Sequence, residues 1–204
     1  MAKKHSGAQG STPATVALAK LGIDFEARSY QHDPSVTDFV REAADALGVP
    51  AERVFKTLLA DADGSLVVGI VPVAGKLDLK ALAAAVGARK AAMADPTLAE
   101  RKTGYVIGGI SPIGQRTRLR TVLDESALSH ATVLVSGGRR GFDIELAPAG
   151  LLRATEGSTA AIARKRSHVT AQAVWPRCLP SAISSTSFAL NAGRSAGVRL
   201  VTSP

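Results

Sequence analysis

Apolar and polar positions along this chain change period repeatedly, and each change marks an element. After Thr12 the run "PATVALAKLG" opens on a proline and stops at Gly22, which predicts a helix. "DFEARSY" (24–30) alternates and predicts a strand. "QHDPSVTD" reads as a turn, and "FVREAADALG" (39–48) as an amphipathic helix ended by Gly48. "PAERVFKTLLADADG" passes from a short helical turn into a strand over 54–61, with a turn at "DADG". "SLVVGIVPVAG" (65–75) is nearly all apolar, the mark of a strand buried on both faces. "LDLKALAAAVG" predicts a helix capped at Asp78 and stopped at Gly87.

Further on, "KAAMAD" predicts a short strand and "PTLAERKTG" a short helix opened by Pro96. A glycine-rich loop and the strand "RLRTVLDES" follow. "ATVLVSGGRRGFDIELAP" is a hairpin turned at "SGGRRG", and "AGLLRAT" a last short helix. Strands, helices and hairpins interleaved in this way predict an α/β fold with a mixed sheet wrapped by helices, not a doubly wound parallel one. Residues 1–11 are expected to be a disordered lead-in. After about Arg164 the period is lost among scattered Ser, Pro and Gly, so 165–204 is expected to be a basic, disordered extension. One folded domain, 12–164, remains between them.

Composition narrows the picture. Apolar residues make up 46% and aromatics 4%, so the core must be built from Ala, Val, Leu and Ile. No apolar run approaches the roughly 18 residues that would span a bilayer, and no hydrophobic stretch follows the charged N-terminus. A cytoplasmic protein is expected. The single cysteine, Cys178, allows neither an internal disulfide nor a cysteine-based zinc site. The four histidines are scattered without ligand spacing. No metal or cofactor is expected. The net charge of +8 is uneven: residues 1–164 hold 20 Lys+Arg against 17 Asp+Glu, whereas 165–204 hold five basic residues and no acid. That balance suits a polyanionic partner, and equally serves solubility.

Three features could carry chemistry. Lys56, inside the apolar "RVFKTLLA", either points to solvent from a half-buried strand or presents a fixed positive charge to a ligand. Tyr30, in "SYQHDP" with His32 and Asp33, is either a core aromatic before a turn or a hydroxyl at a strand end that holds a substrate. "GYVIGGISPIG" (104–114) and "SGGRRG" fit no phosphate-loop pattern. They are either tight turns or bare backbone on which a ligand can lie. No GxSxG elbow, HExxH or plausible nucleophilic cysteine is present. A hydrolase of this sequence would use water or part of its substrate as the attacking group.

Taken in order, "YQHDP", "VFKTLL", "VPVAGKLDLKALA", "KAAMADP", "TGYVIGGISPIGQ" and "VSGGRRGFDIEL" strongly resemble the YbaK/EbsC family of aminoacyl-tRNA deacylases. These are freestanding relatives of the editing domain inserted in bacterial prolyl-tRNA synthetases. The resemblance runs from about Thr12 to Arg164 and is strongest to the Cys-tRNA(Pro) deacylase branch; the tail has no counterpart there. It implies a barrel-like mixed sheet surrounded by helices. It also implies cleavage of the ester between a wrong amino acid and tRNA, with the substrate cysteine's thiol attacking its own carbonyl. The implied catalytic residues are Lys56 and Tyr30. The implied substrate-binding group is Gly108, with Gly109 and Ser111 beside it, and Ser136 and Asp143 of the last hairpin. The partners it implies are aminoacyl-tRNA, here Cys-tRNA(Pro), and prolyl-tRNA synthetase as a second partner, with neither DNA nor a membrane.

Overall fold

The periods resolve into five α-helices and ten strands in the computed structural model, which describes residues 11–31 and 39–165. The expectations for residues 1–10, for His32 and Asp33, and for 166–204 with Cys178 lie outside the described residues. Helix α1 (Pro13–Lys20) begins where Thr12 and Thr15 cap each other, each hydroxyl accepting the other's backbone N–H, at 3.3 and 3.0 Å. Strand β1 (Glu26–Ser29) and helix α2 (Phe39–Leu47) follow, then β2 (Val54–Ala62) and β3 (Ser65–Pro72) as a hairpin. The single strand expected over 65–75 breaks at Pro72, which brings no amide to continue a ladder. After a turn at 73–74, β4 (Gly75–Leu77) pairs outside the main sheet.

Helix α3 (Leu79–Ala85) starts where Asp78 Oδ1 accepts the N–H groups of Lys80 and Ala81. Strand β5 (Ala91–Met93) and helix α4 (Pro96–Thr103) come next, then β6 (Arg120–Asp124). The strand read as "RLRTVLDES" is cut short because Asp124 turns to cap a 3-10 helix, Glu125–Ser129. The hairpin is β7 (Val133–Arg139) with β8 (Phe142–Leu146), followed by α5 (Pro148–Thr155). Two short strands not foreseen from the pattern, β9 (Ser158–Ala160) and β10 (Ala163–Lys165), end the described chain.

The main sheet runs β1-β8-β7-β2-β3-β6-β9, mixed as expected: β2 with β7, β3 with β6 and β6 with β9 are parallel, the others antiparallel. Alternation divides its core. Val68 and Ile70 of β3 face the cluster under α1, α4 and α5, while Val67 and Val71 face the cluster under α3. Both faces are therefore covered, which is why β3 reads as a continuous apolar run. Strands β4 and β10 pair with each other, and Asp124 fixes the approach to β10 by accepting the N–H groups of Ile162 and Ala163 at 2.9 and 2.7 Å. Among the described residues no helix is long and apolar enough to cross a membrane.

Candidate active site

Strand β2 has one full partner and two partial ones. Its β3 edge is paired from Phe55 to Ala62. The other edge pairs with β7 only at Val54 and Phe55 and with β5 only at Ala60 to Ala62. Between them the sheet forks, and a cleft of about 280 Å³ opens along residues 54–59. Because it enters at a fork, the cleft reaches side chains of both sheet faces. Lys56 and Tyr30 stand on its wall with Gly108, Ser136 and Asp143, while Phe55, Thr57, Leu59, Ala99 and Ile110 supply apolar surface and one hydroxyl.

Each polar group is held by its element. Lys56 Nζ donates to the Gly75 carbonyl at 2.8 Å, so strand β4 aims the ammonium. Tyr30, at the end of β1, donates its N–H to the Gly141 carbonyl at 3.0 Å, which ties it to the turn of the β7–β8 hairpin. Ser136 and Asp143 are register partners across that hairpin. Asp143 is 7% exposed, and its Oδ2 has no hydrogen-bond partner among the described residues. Burial pushes its carboxyl up to about 7 from the ordinary 3.8. A buried acid without a donor is costly unless a cation comes to it.

Five of the seven residues expected at the site thus share one cleft; Gly109 and Ser111 do not line it. A Cβ on Gly109 would stand 2.9 Å from Arg139 Cα, so this glycine lets the loop lie on the backbone of the hairpin turn. Ser111 is wholly buried; its hydroxyl accepts the Ile113 N–H at 3.2 Å, and its carbonyl accepts from Gln115 Nε2 at 2.9 Å. Both residues build the loop. Gly108 alone of this trio meets the cleft, with φ at +85°, a conformation that favours glycine.

Thr57 is the residue the sequence did not single out. Its Oγ1 is buried against the cleft and, like Asp143 Oδ2, has no partner among the described residues. One signal was legible: on β2 a hydroxyl stands at 57 where the alternation of Phe55 and Leu59 calls for an apolar side chain. Among the described residues no cluster of His, Cys, Asp and Glu could hold a metal ion.

Comparison with known proteins agrees with this geometry. The model of the aminoacyl-tRNA editing domain matches residues 33–154, which hold all the cleft's polar residues named above except Tyr30. A protein of Enterococcus faecalis provisionally named Cys-tRNA(Pro)/Cys-tRNA(Cys) deacylase EbsC is 42% identical over 123 residues, covering 60% of this chain and 75% of that protein. The uncharacterized protein YwhH of Bacillus subtilis is 33% identical over 126 residues, covering 58% and 80%. A solved structure described as a provisional trans-editing enzyme for prolyl tRNA synthetase superposes with a TM-score of 0.65 at 26% identity, covering 76% of this chain and 99% of that one. With the match spanning most of the folded core and the cleft within it, this chain belongs to the aminoacyl-tRNA editing domain family.

Proposed function

We propose that this protein is a trans-editing deacylase that clears Cys-tRNA(Pro), and in the same way Cys-tRNA(Cys), by letting the substrate's thiol break its own ester. The observation that carries the reading is one cleft that holds an ammonium, bare glycine backbone and a buried carboxylate whose Oδ2 has no partner among the described residues, with no cysteine or histidine among the described residues that line it. Such a site can position a substrate and has little with which to attack it.

In this scheme the ionised Asp143 receives the substrate α-ammonium, with Ser136 beside it. Lys56 holds the terminal ribose or its phosphate, and Tyr30 closes the cleft. The substrate sulfur, losing its proton to solvent, bonds to the ester carbonyl carbon. Charge grows on the carbonyl oxygen, where the Gly108 N–H donates; one such donor is worth about 3 kcal/mol. The C–O bond to the ribose then breaks, and the ribose oxygen takes up a proton. The products are tRNA with a free hydroxyl and a cysteine thiolactone, which water opens. Thr57 projects from the other face of β2 than Lys56 and offers the substrate side chain its unused hydroxyl. Prolyl-tRNA synthetase is the natural second partner, since it makes the mischarged product, and the substrate places the activity in the cytoplasm.

The test is a deacylation panel of Cys-, Ala- and Ser-charged tRNA(Pro) and Cys-tRNA(Cys), with and without the synthetase. Cys esters should be cleared far faster than Ala or Ser esters, which have no thiol to cyclise. Pocket size alone would discriminate by only about 1–3 kcal/mol. Lys56→Ala should lower turnover by about a hundredfold or more while the melting transition stays in place. Near-normal turnover in that variant removes the site, and equal rates on Ala and Cys esters remove the thiol mechanism. Binding of charged tRNA without turnover would leave a recognition module.

A further inference from the structure

The segment after α4 shows more apolar surface than folding requires. Val106 is 56% and Ile107 40% exposed, and Met93 at the end of β5 is 53% exposed. Ile107 and Met93 line the cleft, so large aliphatic side chains stand at its mouth. Their surroundings are basic. Arg140 Nε and Nη2 donate to the Ile107 carbonyl at 3.2 and 2.9 Å. Arg139, its neighbour, lines the cleft and lies over the Phe142 ring at 4.8 Å. Arg116 packs beside Gly104, where an added Cβ would meet its Cβ at 3.5 Å and its Nε at 3.6 Å. All three arginines are exposed. Glu100 of α4 accepts the Ile107 N–H through Oε1 at 2.7 Å.

We propose that this face seats the acceptor end of an RNA, the terminal base lying on Met93, Val106 and Ile107 and the preceding phosphates on Arg116, Arg139 and Arg140. The inference rests on the proposed function: with the aminoacyl group in the cleft, the nucleotide that carries it must lie at the mouth. The surface there has the two properties a nucleotide needs. Aliphatic side chains cover a base's flat face, and guanidinium forks match phosphate oxygens. An acidic peptide would offer the arginines carboxylates but would leave Met93, Val106 and Ile107 in water.

The full-length chain with Arg116→Glu and Arg140→Glu is compared with one carrying Arg89→Glu and Lys90→Glu, exposed residues that lie off the cleft. Both pairs lower the net charge by the same amount. Binding of uncharged tRNA, followed by fluorescence anisotropy across a salt series, should weaken roughly tenfold or more for the first pair and about twofold for the second, with a shallower salt slope only in the first. Arg116→Glu alone, which leaves the Ile107 contact in place, should go the same way. In a second arm, Val106→Ser with Ile107→Ser should raise KM for 3′-cysteinyl-adenosine, which has no phosphate, with kcat unchanged. Equal losses from the two charge-reversal pairs, or an unchanged KM in the second arm, would overturn the inference. A wild type that binds tRNA through this face but cleaves no ester keeps the surface and removes the deacylase reading. One that cleaves the ester, with tRNA binding indifferent to Arg116 and Arg140, does the reverse.

Discussion

Asp143 and Glu145 lie two residues apart on β8, and their surroundings drive them in opposite directions. Burial would raise Glu145, but the Thr132 hydroxyl and the guanidinium groups of Arg28 and Arg53 outweigh it and hold the carboxyl below its ordinary value. Asp143 Oδ2 has no donor among the described residues, and burial raises the carboxyl to about 7. Between pH 4 and 7 the folded chain keeps a proton on Asp143 that the unfolded chain has lost, so this residue lowers stability as pH rises through that window. Asp143→Asn should therefore melt with the wild type near pH 4 and above it at pH 8, by an amount on the order of 1–3 kcal/mol. The same variant should lose the substrate ammonium. Affinity for a non-hydrolysable cysteinyl-amide analogue should rise from pH 5.5 to 8 in the wild type and stay low and flat in Asp143→Asn; a parallel rise in both would detach Asp143 from the ligand. Thr57 makes a sharper case, because Thr57→Val keeps the shape and removes only a hydroxyl that already has no partner among the described residues. Stability should hold or rise. Turnover of Cys-tRNA(Pro) should fall about tenfold, as expected for one lost hydrogen bond of roughly 1.4 kcal/mol. Loss of stability with full activity would make Thr57 a packing residue.

Elements with a cap or a sustained period were legible in the sequence: α1 behind Thr12, α3 behind Asp78, and β3 as a strand covered on both faces. Strands β4, β9 and β10 were not, since three residues carry no period and exist only where a partner pairs with them. The fork in β2 was equally silent. It depends on which residues β7 and β5 reach, not on anything in "VFKTLLA". The glycine loop was half legible: its bare backbone does serve close approach, but Gly109 meets the hairpin, and of the loop's glycines Gly108 meets the cleft. Ser111 shows how position misleads, because a hydroxyl near a site can be spent inside its own turn. These two glycines should therefore fail differently. Gly109→Ala presses a methyl onto Arg139 backbone, which cannot swing away, and should lower the urea midpoint by the equivalent of about 1–3 kcal/mol. It should reduce activity only in proportion to unfolding. A stable Gly109→Ala protein with normal hairpin packing would contradict the contact.

At the scale of the whole chain, the last strands reach back to Lys56. The family match ends at residue 154, yet β10 pairs with β4, and β4 carries the Gly75 carbonyl that holds Lys56. Around that pairing Asp78 takes both Arg164 and the amides of α3, and Asp124 takes the amides of Ile162 and Ala163. The segment 158–165 is thus part of the site's support, and a boundary at Arg164 cuts its last strand. Beyond Lys165 lie Arg166, Arg177, Arg194 and Arg199 with no acid, a charge pattern expected to add phosphate affinity. Two shortened chains separate these contributions. One ending after Lys165 should melt like the full chain and cleave cysteinyl-adenosine at the same rate. Its tRNA affinity should depend less steeply on salt, by up to about four in the logarithmic slope. One ending after Ala160 leaves Asp124 without the Ile162 and Ala163 amides, Asp78 without the Arg164 guanidinium and β4 without its partner. It should melt lower and lose kcat on the phosphate-free ester, because Lys56 is no longer aimed. Identical salt slopes in the full chain and the first shortened chain would deny the tail any RNA contact. Full kcat in the second would mean that β4 needs no partner to hold the lysine.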